Sequence, residues 1–161
     1  MEVTPTGKIS KWGSIVHMTA TGDNCCKVGD RVPGIWFWGN SNKLHICFPV
    51  DDVGNKCVNT KDLPNDKSSV VTIEQRAVSG SYKTIVSLDG KIIDTKPHTK
   101  EPAEFTNVKL YASSPFYDEA KAVIKNLEFK NLGIYFIFYF YFFIFGGVVY
   151  LGDKSTRQPT K

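Results

Sequence analysis

No run of five like charges occurs in the 161-residue chain, and acidic and basic residues are mixed along it with a formal net charge of only +4. A basic stripe or cluster of the kind that follows a phosphate backbone is therefore missing, which argues against a nucleic-acid partner. The four cysteines, Cys25, Cys26, Cys47 and Cys57, form no C-x-x-C pair, so a zinc-finger arrangement is excluded. G-x-S-x-G, H-E-x-x-H and G-x-x-x-x-G-K are all absent, and with them the usual marks of a serine hydrolase, a zinc protease and a phosphate-binding loop. The expectation is a protein that is not an enzyme. The first fourteen residues, MEVTPTGKISKWGS, contain no apolar core of signal-peptide length. The chain opens abruptly on Glu2-Val3-Thr4-Pro5, which reads as the end of a strand, so an upstream strand and leader are expected to be missing.

What is present is strand signal, and little that reads as helix before Leu132. Ser14 to Gly22 is rich in β-branched residues and stops at Gly22-Asp23-Asn24. Ile35-Trp36-Phe37-Trp38 is a short apolar run closed by the turn formers Gly39-Asn40-Ser41-Asn42. Lys43 to Phe48 returns with Leu44, Ile46 and Phe48 on one face. Ser68 to Val78 alternates, placing Val71, Ile73 and Ala77 opposite Thr72, Glu74 and Arg76. Tyr82 to Leu88 and Lys91 to Asp94 flank Asp89-Gly90, a strong two-residue hairpin mark because Gly90 adopts positive φ without strain. Phe105 to Ala112 reads as a strand. Ala120 to Phe129 is compatible with helix or strand, and the closing strand is preferred. Seven or eight strands with short polar loops predict an all-β antiparallel sandwich over residues 1–131.

The even number of cysteines suits an oxidising compartment. Cys47 and Cys57 flank FPVDDVGNK, which reads as a loop rich in turn formers, and could close a hairpin; Cys25 and Cys26 are adjacent and either bond to each other or remain thiols. Four reduced thiols in a cytosolic protein is the remaining alternative.

These elements, taken in order, resemble the concanavalin A-like lectin/glucanase superfamily of jelly-roll sandwiches, which includes laminin-G-like modules. The likeness rests on TPTGKISKWGSIVHMTATG, then GDRVPGIWF with KLHICF, then the hairpin YKTIVSLDGKII, and finally FTNVKLYASSPFYDEAKAVIKNLEF. It covers roughly residues 2–130. The resemblance implies a jelly roll and an extracellular module that binds glycan or protein, in some members with calcium. Glucanase members carry an E-x-D-x-E strand that this chain lacks, so glycoside hydrolysis is the less favoured alternative, beside a structural or adhesive matrix role.

A ligand site of that kind needs aromatic faces and hydrogen-bonding amides. Trp36 and Trp38 share one face of their strand, with Phe37 on the other; one of the two faces is core. Packing explains the tryptophans as well; if either is a platform it is Trp38, which borders the turn, with Asn40 and Asn42 beside it. Asp51 and Asp52 are further ligand contacts, and with Asn55 they offer oxygens to a calcium ion, though a solvated turn explains them as well; Asp23, Asn24 and Asp30 form a similar cluster. His17 and His45 are strand residues able to neighbour one another as a metal pair or base, though satisfied or exposed histidines explain them better, and Asp30-Arg31 reads as an ion pair at a loop base.

The last feature is Leu132 to Leu151, twenty uncharged residues of which ten are Phe or Tyr. As a helix at about 1.5 Å per residue it would span roughly 30 Å, a bilayer's hydrocarbon thickness. The basic tail of residues 152–161 would then lie in the cytosol, with the sandwich outside as a single-pass membrane protein. A strand buried on both faces, and translated noncoding sequence that would leave a secreted domain, are the competing readings.

Overall fold

In the computed structural model, residues 1–131 are described, with the backbone alone of Asn131 and of the strands Phe136–Phe138 and Val148–Tyr150. The chain is all-β: β1 (Glu2–Pro5), β2 (Gly13–Thr19), β3 (Gly34–Phe37), β4 (Lys43–Val50), β5 (Val53–Asp62), β6 (Ser69–Val78), β7 (Ser81–Leu88), β8 (Lys91–Pro97), β9 (Lys109–Ala112), β10 (Asp118–Glu119), β11 (Ala122–Lys125), β12 (Phe129–Asn131), β13 (Phe136–Phe138) and β14 (Val148–Tyr150). The expected closing strand from Ala120 is present as β11 and β12. Among the described residues no helix is long and apolar enough to cross a membrane. The helix expected over 132–151 lies outside the described residues, except at β13 and β14, where the backbone is extended.

Two antiparallel sheets carry the architecture. One has the order β11-β1-β6-β7-β8; the other runs β14-β9-β2-β3-β4-β5, with β10 added in parallel to β2. A small ladder joins β12 to β13. Val3, Val71 and Val86 of the first sheet share one buried cluster with Ile15, Met18, Ile35, Phe37, Leu44, Ile46, Phe48 and Val58 of the second. The two inner faces therefore pack on each other as a sandwich does. Full burial of each such side chain contributes about 1.5–3 kcal/mol, which is what holds the layers together.

Turn chemistry sets the register. Asp89 and Gly90 both have positive φ (50° and 75°), the backbone of a type I′ turn between β7 and β8. The Asp89 carboxylate also accepts the Val70 amide at 2.8 Å, tying this turn to the start of β6. The stretch after Cys47 is not a loop. β4 continues to Val50, turns at Asp51-Asp52 and returns as β5, so Cys47 faces Cys57 across the ladder.

That second turn fastens a distant segment. Asp51 accepts the Thr99 hydroxyl at 2.8 Å and the Thr99 amide at 3.1 Å, and lies 3.5 Å from His98 Nδ1. Asp52 pairs with Lys100. The Thr99 hydroxyl and amide hold the Asp51 carboxyl below its ordinary 3.8. A depressed carboxylate pKa stabilises the fold above the unfolded value, and that contribution is lost as pH falls through the folded one. Melting curves should therefore show wild type losing stability relative to Asp51→Asn as pH drops below 3.8. A gap between the two proteins that stays constant through that range would disprove the role given to this carboxylate.

Candidate functional site: the outer face of the larger sheet

The face of the second sheet turned away from the core carries Trp36 from β3, His45 and Cys47 from β4, and Cys57 and Asn59 from β5. Alternation requires this, because Phe37, Leu44, Ile46 and Val58 are spent on the core. Phe37, not the tryptophan pair, takes the inner side. The face divides into a sealed half and an open half.

The sealed half is covered by the segment between β2 and β3. Arg31 sits 4.6 Å above the centre of the Trp36 ring, a cation–π stack. Its guanidinium donates to the Asn24 carbonyl at 2.9 Å, to Asn55 Oδ1 at 2.6 Å and to the Tyr117 hydroxyl at 3.3 Å. Burial pushes the Arg31 pKa below its usual value, with Tyr117 acting in the opposite sense. Asp30 serves other partners: its carboxylate accepts the Thr21 hydroxyl at 2.5 Å and the Lys27 amide at 2.8 Å. The ion pair expected within Asp30-Arg31 is thus replaced by two separate networks, one tying the loop to itself and one tying it to β5. A side chain at Gly54 would strike the backbone of Cys26 and Lys27, so this glycine is what lets the loop lie flat on β5. Trp36 is consequently only 1 % exposed.

His17 closes the same half. Its Nε2 meets the Asp30 carbonyl at 2.9 Å. Since a carbonyl only accepts, Nε2 carries the proton. Burial lowers the His17 pKa and keeps the ring neutral. His17 and His45 do not neighbour each other, because β3 runs between their strands and Trp36 stands between the rings, 5.8 Å from one and 6.3 Å from the other.

The open half is aromatic. Trp12 lies 4.1 Å from Trp38, centroid to centroid, and 4.9 Å from His45; Trp38 is 5.3 Å from His45. Both tryptophans are half-buried and Asn59 is exposed. The Trp38 indole N–H donates to Asn59 Oδ1 at 2.9 Å, and His45 Nδ1 lies 2.7 Å from the same oxygen. An indole N–H can only donate, so the Asn59 atom it meets is the oxygen. His45 Nδ1 must then be the protonated nitrogen, and Nε2 holds the free lone pair. Burial lowers the His45 pKa, the Asn59 bond opposing it, and the ring is neutral at neutral pH. Two indoles, an amide and an acceptor nitrogen thus converge on one patch.

The residues expected at a ligand site do not all converge. Trp38 is in the patch, and Asn40 is exposed at the turn beside it with φ of 56°. Asn42 is only 2 % exposed and gives its amide to the Leu63 carbonyl at 3.3 Å and to Asn65 at 2.6 Å, so it braces a loop instead of facing solvent. Asp51 and Asp52 stand at the far end of β4, on the order of 20 Å away at about 3.3 Å per strand residue. The three oxygens proposed for calcium also separate: Asp51 serves Thr99, Asp52 serves Lys100, and Asn55 serves Arg31. Of the Asp23, Asn24 and Asp30 cluster, Asn24 and Asp30 are committed to the loop network. Trp12 and Asn59 escaped the sequence reading. Pairing of β2 with β3, which sets Gly13 opposite Phe37, was the signal that brings Trp12 to Trp38.

The structure joins Cys47 to Cys57 and Cys25 to Cys26. No protein-family model matches the chain, nor does any curated protein or solved structure.

Proposed function

We propose that the chain is a non-catalytic binding module of concanavalin A-like, jelly-roll type that takes glycan on the outer face of its larger sheet. The observation that carries this reading is the half-buried Trp12–Trp38 pair with Asn59 and His45 beside it. Indole faces stack on the C–H surface of a sugar ring, while the Asn59 amide N–H donates and His45 Nε2 accepts from hydroxyls. None of the ring or hydrogen-bond partners of this patch is a carboxylate, whereas glycoside hydrolysis uses a pair of them. That favours binding over hydrolysis. The disulfide-capable Cys47 and Cys57 favour a sandwich held outside the cell, either secreted or anchored through Leu132 to Leu151. Calcium has no support from the placement of Asp51, Asp52 and Asn55.

The test is a glycan array probed with the full chain, followed by titration of the best ligand. Trp38→Ala and Trp12→Ala should each weaken binding by about tenfold or more, equal to about 1.4 kcal/mol, with melting temperature little changed. An array on which nothing binds, or a ligand held equally well by both variants, would refute the glycan reading and favour an adhesive matrix role.

A further inference from the structure

The geometry points to a soft-metal site of the zinc class made by His45, Cys47 and Cys57, closed while the cysteines are bonded and opened by reduction. A ring nitrogen of His45 and the two sulfurs lie within 4.8 Å of one another. They are brought there by the ladder: His45 and Cys47 are two residues apart on β4, hence on one face, and Cys57 is the cross-strand partner of Cys47. One imidazole and two thiolates are the ligand set of a three-protein-ligand zinc site with a fourth position left for water.

The groups that would orient the histidine are already in place. A metal-ligating histidine usually gives its other ring N–H to an oxygen acceptor, which fixes the tautomer and aims the lone pair. His45 does this through Nδ1–H to Asn59 Oδ1, and the Trp38 indole clamps that same oxygen. Nε2 is thereby left to a metal. Asn55 Oδ1, 3.4 Å from Cys57 Sγ, lies beside the second sulfur and is itself held by Arg31.

A thiol reductant opens the site. A dithiol gives two electrons and two protons to the Cys47–Cys57 bond and becomes a disulfide itself. The two protein thiols then lose their protons as the divalent ion binds. In an oxidising compartment the pair stays bonded and the site is closed. This inference does not depend on glycan binding.

Cobalt(II) alone is the probe, because its thiolate complexes absorb where zinc's do not. The full chain carrying Cys25→Ser and Cys26→Ser is reduced with a phosphine, which takes its oxygen from water to become the phosphine oxide and leaves no competing thiol. One cobalt per chain should bind with a thiolate-to-metal charge-transfer band, and the oxidised protein should show none. Asn59→Ala should weaken affinity by about 10–100-fold, His45→Gln by at least as much, and Cys57→Ser should remove most of the band. If the double serine variant fails to fold, the wild-type chain serves instead, with His45→Gln expected to lose one equivalent of bound cobalt. A reduced chain that binds no cobalt, or one whose binding His45→Gln and Cys57→Ser leave unchanged, would overturn the site.

Discussion

Ile46→Ala is expected to lower the free energy of unfolding by about 2–5 kcal/mol. Ile46 is fully buried in the middle of β4 and belongs to the cluster shared by the two sheets. Truncation removes the transfer free energy of three carbons and leaves a cavity between layers that strand hydrogen bonds keep from closing. Its chain neighbour His45 points to the opposite side, so His45→Ala should cost far less. Denaturant titrations of both variants decide the matter. Equal losses, or a loss below about 1 kcal/mol at Ile46, would mean that the faces of β4 are assigned the wrong way round.

The second large effect concerns Arg31→Met. The methionine keeps some packing over Trp36 but leaves Asn55 Oδ1, the Tyr117 hydroxyl and the Asn24 carbonyl without their shared donor. Each buried group that loses its partner costs about 1–3 kcal/mol, and half-buried ones recover part of that from water. A net loss of roughly 3 kcal/mol follows, or about 10 °C in melting temperature. The loss should be local first. Lys27 is exposed on the same loop, so trypsin should cut after it faster in the variant than in wild type. Unchanged cleavage together with unchanged melting would show that the loop is held by something other than this guanidinium.

Legibility in the sequence followed how local each determinant was. The β7–β8 hairpin was readable because Asp89-Gly90 is a two-residue loop with one favoured geometry. The core face of β4 was readable because Leu44, Ile46 and Phe48 alternate with polar neighbours. β5 was not, since VGNKCVNTKD offers only Val58 and Thr60 to the interior and otherwise looks like loop; Asn59 disappeared from view with it. Trp36 and Trp38 were correctly placed on one face, but both faces of that strand are aromatic, and only the partner sheet decides that Phe37 is the inner residue. The separation of Asp30 from Arg31 depends on Asn55 and Tyr117, which lie 24 and 86 residues from Arg31. No local pattern encodes contacts at that range.

The first strand has a consequence for how the molecule assembles. β1 is flanked on both sides, by β6 through Glu2 and Val70 and by β11 through Val3 and Ile124. Neither neighbour is near it along the polypeptide, so Val3 must wait for the chain to be synthesised past Lys125 before its ladder is complete. Such distant pairings give slow, cooperative acquisition of structure. Until that point the nascent protein exposes an unpaired edge, and it needs protection from association most while the ribosome is still at work.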